Sequence, residues 1–354
     1  MKIHENYIKR CIQLAENGLG TTYPNPLVGS LIVYDNKIIG EGWHRKAGEP
    51  HAEVNAINSV KDKSKLKKAT IYVSLEPCSH YGKTPPCSDL IVASGIKNIV
   101  IGSIDPFPEV SGKGIKKLMD AGCQVIVGIL DEKCRLLNRR FFTYHKHKRP
   151  FIILKWAQSL DGFLAPISSE YKHNRKPIWI TNKYSQQLVH KWRSEEGAIL
   201  VGTNTAVMDN PSLTTRSWDG NNPVRVLIDQ HLRLSKDSAL LDKSSKTIVI
   251  CGIEAKDSTK PESSENLIFE TIDFKKEITH QICELLYKHK IQSIIIEGGA
   301  KTLQSFINSG LWDEARVFTG DIQFIKGVKA PCLDAELRLK QDYTGDILRI
   351  YSND

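Results

Sequence analysis

The placing of four residues, His51, Glu53, Cys78 and Cys87, constrains this chain more than any other feature. They lie in two segments, HAEV from position 51 and EPCSHYGKTPPC ending at position 87. One imidazole and two thiolates are the usual three-ligand set of a zinc ion whose fourth position stays open. The chain between these segments must therefore fold back on itself. An open position admits a water whose pKa zinc lowers to about 7, so a nucleophile is available at neutral pH. Glu53, two residues beyond His51, is the natural carrier of a proton between that water and a leaving group. Together the four residues read as a hydrolytic centre that attacks an amidine-like carbon and expels ammonia.

The order His-x-Glu, then Pro-Cys and a second Cys, is the signature of zinc nucleobase deaminases. Here eight residues (79–86) separate the two cysteines, where the commoner nucleoside and nucleic-acid form has two. A purely structural zinc would want a fourth Cys or His. His80 could supply one, but its place in a Gly/Pro-rich loop suits a substrate contact better. Cys11, Cys123, Cys134, Cys251, Cys283 and Cys332 lie in or beside apolar stretches without paired ligand spacing, and read as small buried hydrophobes.

At 354 residues the chain calls for about two domains. Its net charge of +9 suits an anionic partner: nucleic acid, a phosphorylated metabolite or a dinucleotide. The Lys and Arg are scattered, and no aromatic-basic strip for stacking bases is visible, which argues against nucleic acid. The densest basic run, HKHKR at 145–149, falls where a linker is expected. The N-terminal stretch carries Ile3, Tyr7, Ile8, Cys11, Ile12 and Ala15 at helical spacing, an amphipathic helix and not a signal peptide. No apolar run approaches the roughly 20 residues of a membrane span. Free thiols at a metal site imply a reducing cytoplasm.

Residues 1–147 read as one domain of alternating strands and helices. A hairpin is expected over 27–42 with its turn at Asp35-Asn36, a helix over 51–60, a strand over 69–77 and a helix over 87–95. A strand over 98–106, a helix over 114–122 and a strand over 123–129 follow. Such alternation indicates an α/β layer with largely parallel pairing. His51 and Cys87 then begin helices and Cys78 ends a strand. A second domain, 148–354, has strand runs at 151–165, 197–205, 224–230, 246–252, 266–272 and 293–299, with helices at 182–195, 275–290 and 300–309. KDSTKPESSE (256–265) reads as an exposed loop. SIIIEGGAKTLQSFI is a strand, a Gly-Gly turn and a helix, a geometry that sets backbone amides against a phosphate. VGTNTAVMDNPSLTTR (201–216) ends a strand in a polar loop.

In this order, PNPLVG (24–29), GEGWHRKAGEPHAEVNA (40–56), YVSLEPCSHYGKTPPC, KWAQSLDG (155–162), WIT (179–181), VHKWR (189–193), VGTNTAVMDNPSLTTR and IIIEGG resemble the bifunctional riboflavin-biosynthesis deaminase-reductase family over nearly the whole chain. The resemblance implies a three-layer cytidine-deaminase-like domain holding Zn2+, followed by a dihydrofolate-reductase-like domain using NADPH. It implies deamination of 2,5-diamino-6-(5-phosphoribosylamino)pyrimidin-4-one, then reduction of the ribosyl group to ribityl. His51, Cys78 and Cys87 match the zinc ligands and Glu53 the proton shuttle. Asn25, His44, His80, Lys83 and Thr84 match deaminase substrate contacts. Ala157, Trp179, Thr205, Asp209 and the segment Gly299, Ala300, Lys301, Thr302, Leu303, Gln304 and Ser305 match cofactor contacts. Lys155, Arg193, Leu213, Arg216 and Glu297 match reductase substrate contacts, the two Arg suiting the phosphate. Lys155 and Asp209 are candidates for protonating the sugar oxygen. The chain departs from relatives at Pro177, where a Ser is frequent, and at Phe107, where an Asn is. A homo-oligomer in the cytoplasm is expected. The competing reading is a zinc deaminase of other bases with a non-catalytic C-terminal binding module.

Overall fold

The computed structural model describes residues 2–81, 85–107, 111–167, 178–255 and 263–353. The chain divides into two compact units, Met1–Lys148 and Arg149–Asp354.

The first unit runs α1 (Lys2–Glu16), β1 (Gly29–Tyr34), β2 (Lys37–Trp43), α2 (Ala52–Ser59), β3 (Thr70–Leu75), α3 (Cys87–Ala93), β4 (Asn98–Ser103), α4 (Lys113–Asp120), β5 (Gln124–Val127), α5 (Asp131–Leu137) and α6 (Arg139–His147). Its sheet has the order β2-β1-β3-β4-β5. Asp35 and Asn36 both take positive φ, 49° and 55°, which turns the β1–β2 hairpin in the sense that matches strand twist. Successive residues of β1 point to opposite faces. Leu31 and Val33 pack with Ile8, Cys11 and Leu14 of α1, while Ile32 packs with Ala56 and Ile57 of α2 and Ile91 of α3. Helices thus cover both faces in three layers. Parallel pairing is confined to β3, β4 and β5, because β1 runs antiparallel to both of its neighbours. Gly42 lets α2 close onto the sheet: a Cβ there would stand 2.3 Å from the Ala56 amide nitrogen. That approach fixes the start of α2, and with it His51 and Glu53.

The second unit runs β6 (Phe151–Gln158), β7 (Phe163–Pro166), α7 (Lys183–Glu195), β8 (Ala198–Gly202), α8 (Thr203–Asp209), β9 (Val224–Ile228), β10 (Thr247–Gly252), β11 (Leu267–Ile272), α9 (Ile278–Lys288), β12 (Ser293–Glu297), α10 (Ala300–Asn308), β13 (Glu314–Thr319), β14 (Gly327–Lys329), β15 (Glu336–Tyr343) and β16 (Asp346–Ser352). Nine strands form one sheet in the order β11-β10-β9-β8-β12-β6-β13-β16-β15. It is parallel from β11 to β13 and antiparallel thereafter. Ile152, Leu154 and Trp156 share a core with α9 and α10, and Ile153 shares one with Val189 and Trp192 of α7. From β8 the chain winds outward to β11, then returns to insert β12 between β8 and β6. The carboxyl ends of β8 and β12 therefore flank the reversal, where open α/β sheets bind ligands.

Three expectations need correction. Residues 145–147 of the basic run form the last turn of α6, not a linker, because Phe141 and Phe142 anchor that helix in the core. Positions 203–205 open α8 and do not continue β8. Strands β13, β14, β15 and β16 were not foreseen; β15 (ELRLKQDY) is exposed along nearly its whole length, and its apolar alternation stops after Leu337 and Leu339. Of the loop at 256–265, residues 256–262 lie outside the described residues. Among the described residues, no helix is long and apolar enough to cross a membrane.

Candidate functional site

In the first unit His51 is the residue before α2, in extended backbone (φ −69°, ψ 167°), and Cys87 is the first residue of α3. Cys78 follows β3. His51 Nδ1 lies 3.7 Å from Cys78 Sγ and 3.3 Å from Cys87 Sγ, and all three donor atoms fall within 4.8 Å of one another. Tetrahedral zinc, with Zn–S of about 2.3 Å and Zn–N of about 2.0–2.1 Å, needs N···S edges of roughly 3.5 Å. The donor set fits that ion. The Cys87 thiol, hydrogen-bonded to Cys78, pulls the Cys78 thiol down to about 4 against the effect of burial, with help from His51 and the Cys87 amide, which donates to Cys78 Sγ at 3.3 Å. Sharing that proton pushes Cys87 upward, as does its burial. His80 is exposed and is not among the converging donors.

Glu53, in the first turn of α2, is 3% exposed, and burial lifts its carboxyl to about 7 against the pull of His51. His44 Nδ1 faces the Pro50 carbonyl at 3.2 Å, and its Nε2 faces Asn25 Nδ2 at 3.0 Å. This arrangement fits a neutral ring with its proton on Nδ1, accepting from the Asn25 amide. Burial depresses the His44 pKa, which agrees. The His44 ring stands edge-on to His51, with centroids 5.3 Å apart. Lys83 and Thr84 lie outside the described residues. Phe107 packs against His145 at 5.0 Å.

Two positioning residues escaped the sequence reading. Glu76, two residues before Cys78, accepts four backbone N–H groups: Asp105 and Gly112 on Oε2 at 3.3 and 3.0 Å, and Gly114 and Ile115 on Oε1 at 2.9 and 3.2 Å. It ties the Cys78 segment to the start of α4. Asn138, buried, exchanges two 2.8 Å hydrogen bonds with the Leu27 backbone and so holds the loop that carries Asn25. For Glu76 the available signal was its place inside the cysteine block; Asn138 left none.

The second unit contains a cavity of about 1020 Å³ at the carboxyl edge of its sheet. It is lined by Lys155 and Ala157 of β6, Trp179, Arg193 of α7, Thr205 and Asp209 of α8, Leu213, Arg216 and Glu297, and by Gly299, Ala300, Lys301 and Thr302 at the start of α10. Leu303 instead packs in the core, Gln304 bonds the Cys332 backbone and Asn308, and Ser305 donates to the Lys301 carbonyl. Pro177 lies outside the described residues. Cys332 is exposed, unlike the buried Cys11, Cys123, Cys134, Cys251 and Cys283.

Gly298 and Gly299 take φ of 80° and 71°, the left-handed region that a side chain disfavours. A Cβ on Gly298 would meet Thr205 Cγ2 at 2.9 Å, and one on Gly202 would meet Thr302 Oγ1 at 2.7 Å. Bare backbone therefore borders the cavity where α10 begins, a cradle that fits a dinucleotide phosphate. Beside it, Glu297 accepts from Arg193 Nε and Nη2 at 3.3 and 2.8 Å, and Lys155 Nζ lies 4.0 Å away. Attraction to Arg193 and Lys155 outweighs burial and brings the Glu297 carboxyl down to about 2. Burial lowers Lys155, opposed by Glu297. The Arg193 fork is thus closed on Glu297, with Nη1 reaching the Thr214 carbonyl at 3.3 Å. Arg216 Nη1 donates to the Ser212 and Thr214 hydroxyls, its amide donates to His190 Nδ1, and the residue lines the cavity.

Residues 1–103 match the family described as cytidine and deoxycytidylate deaminase zinc-binding region, and residues 150–323 match the RibD C-terminal domain. The riboflavin biosynthesis protein RibD of Aquifex aeolicus is 41% identical over 90% of this chain and 86% of its own length. A crystal structure from Thermotoga maritima, described as a diaminohydroxyphosphoribosylaminopyrimidine deaminase/5-amino-6-(5-phosphoribosylamino)uracil reductase, is 36% identical, with a TM-score of 0.87 over 99% of both chains. Acinetobacter baumannii RibD is 31% identical, also with a TM-score of 0.87 over 99% of both chains. A zinc-type donor set in the first unit and a glycine-edged cavity in the second are what a deaminase joined to a reductase requires, and the chain belongs to the RibD family of bifunctional riboflavin-biosynthesis proteins.

Proposed function

We propose that the first unit hydrolyses the 2-amino group from 2,5-diamino-6-(5-phosphoribosylamino)pyrimidin-4-one, and that the second reduces the ribosyl group of the resulting 5-amino-6-(5-phosphoribosylamino)uracil to ribityl. The observation that carries this reading is the convergence of His51, Cys78 and Cys87 beside buried Glu53 in a chain that also holds the Gly298-Gly299 cavity.

His51, Cys78 and Cys87 would hold zinc, which supplies the Lewis acid that makes water nucleophilic at neutral pH. Glu53 takes one proton from the attacking water and gives it to the ring nitrogen, then takes the second from the hydroxyl on the attacked carbon and gives it to the departing amine, so that the carbon is left as a carbonyl and the amine leaves as ammonia. Asn25 and neutral His44 orient the pyrimidine, with the Pro50 carbonyl fixing the tautomer. His80, Lys83 and Thr84 complete the substrate contacts.

In the second unit NADPH supplies the hydride. The backbone at the start of α10 holds its pyrophosphate, with Thr205 and Thr302 alongside and Ala157, Trp179 and Asp209 along the rest of the cofactor. Arg216 takes the substrate phosphate, Arg193 stays paired with Glu297 and shapes that end of the cavity, and Leu213 packs against the substrate. Lys155 gives the sugar oxygen its proton: burial disfavours its charged form, which eases release. We read the chain as a cytoplasmic homo-oligomer whose thiols stay reduced.

The test is anaerobic turnover of the diaminopyrimidine phosphate by the full chain, with ammonia release and NADPH oxidation followed separately. Both should occur, ammonia first. Ammonia release without NADPH oxidation would favour a non-catalytic C-terminal unit.

A further inference from the structure

Residues 211–216, between α8 and β9, form neither helix nor strand, so their backbone groups have no ladder to join. Two side chains of α7 take up part of that need. His190 Nδ1 accepts the Arg216 amide at 3.0 Å, and Arg193, one turn further along the same helix face, donates Nη1 to the Thr214 carbonyl at 3.3 Å. The Thr215 amide goes to Asn222 Oδ1 at 2.8 Å. Leu213 takes φ of 53°, the left-handed region that a side chain disfavours, and is buried in one core with Val189 and Trp192 of α7.

That contact fixes the state of the imidazole. A backbone N–H can only donate, so Nδ1 is the proton-free nitrogen, and a neutral ring carries its hydrogen on Nε2. A second proton would set two donors face to face. Burial, then the charges of Arg193 and Arg216, bring the His190 pKa down to about 4 against the opposing pull of Glu297. The ring is therefore neutral near pH 7, and it is buried at the cavity wall that Arg193, Arg216 and Glu297 also line. The two arginines thus help to keep the imidazole in the form that accepts the Arg216 amide.

We propose that His190 is a positioning residue of the reductase: its proton-free Nδ1 fixes the Arg216 backbone and so sets the Arg216 guanidinium for the substrate phosphate. The inference rests on the reading of Arg216 given above. Arg216 Nη1 donates to two hydroxyls of its own segment, Ser212 and Thr214. Those hydroxyls travel with the loop, so they do not set where the guanidinium stands relative to the sheet. The His190 contact does, because it ties the loop to α7, whose Val189 and Trp192 share a core with Phe151 and Ile153 of β6. A misplacement of about 1 Å in a group that must meet a ligand costs as much as about 10²-fold.

The experiment follows NADPH oxidation by the full chain, first with 5-amino-6-(5-phosphoribosylamino)uracil varied at saturating NADPH and then the reverse. His190→Ala should raise the KM for the pyrimidine phosphate by about 5- to 30-fold, the scale of a buried amide left without its acceptor, and leave the KM for NADPH within about 2-fold. Because the ring is neutral, the substitution removes a contact without changing the charge. Asn offers its carbonyl oxygen close to where Nδ1 stood, whereas Gln reaches the place of Nε2. His190→Asn should therefore recover most of the affinity and His190→Gln little of it, and this pair decides by the same criterion if His190→Ala does not fold. In an Arg216→Ala background His190→Ala should add almost nothing, since it acts through Arg216. Equal losses for both ligands, recovery by Gln as good as by Asn, or losses that add in the double variant overturn the assignment. If Arg216→Ala alone leaves substrate affinity intact, the phosphate reading of Arg216 fails as well; if Arg216→Ala weakens it and His190→Ala does not, only the positioning role falls.

Discussion

Replacing Glu297 by Gln removes one negative charge from a pocket holding two positive ones. Arg193 and Lys155 are each mostly buried, at 12% and 15% side-chain exposure, and both face the Glu297 carboxylate. That carboxyl titrates near 2 in the folded chain against an ordinary 4.5. The difference of about 2.5 units, at 1.36 kcal/mol each, corresponds to about 3 kcal/mol. Breaking a buried ion pair from one side carries a similar cost, about 3–5 kcal/mol. Glu297→Gln should therefore destabilise the second unit by about 3 kcal/mol at neutral pH, read from urea unfolding followed by tryptophan fluorescence. Because the folded pKa is depressed, the contribution is complete above about pH 4.5 and fades as pH falls toward 2. The gap between parent and variant should close over that window. Removing Arg193 as well, with Met in its place, should recover part of the loss, since fewer charges are then left unpaired. A loss below about 1 kcal/mol at pH 7 would mean that solvent screens the cluster, and the reasoning fails.

Glu53→Gln should keep zinc and fold but slow ammonia release by about 10² to 10⁴, while NADPH-dependent reduction of already deaminated substrate continues; near-normal ammonia release would place the proton carrier elsewhere. Cys87→Ser should lower zinc content of the full chain well below one ion per chain by elemental analysis, and full retention would break the ligand assignment. Arg216→Ala should weaken substrate binding by about 1.5–3 kcal/mol with NADPH affinity intact, and Arg216→Lys should restore only part of it. Loss of NADPH binding instead, in the same titrations, would show that Arg216 serves the cofactor.

What could be read in advance was whatever rests on local chemistry. The grouping of His51, Cys78 and Cys87, with Glu53 close to it in sequence, was legible because donor type, spacing and the adjoining helix starts agree within short segments, and the strand–helix alternation was legible because β3, β4, β8 and β12 are nearly uniform apolar runs. What escaped depends on contacts between distant parts of the chain. Glu76 carries the same side chain as any surface Glu, and only folding brings the Asp105 and Gly112–Ile115 amides onto it. Asn138 meets Leu27 across more than a hundred residues. The closed Arg193–Glu297 fork is the most instructive case, because both residues carried a substrate role by resemblance, yet the fold gives them to each other first. A phosphate arriving at that end meets Arg216, which makes no ion pair among the described residues, and Arg193, whose fork is already held by a carboxylate. Substrate affinity should therefore depend on Arg216 through direct contact, and on Arg193 mainly through the shape that the ion pair preserves. Arg193→Lys separates the two roles: it keeps the charge but loses the two-point contact with Glu297, so it should lower thermal stability more than it weakens substrate binding. The reverse order would return Arg193 to the phosphate.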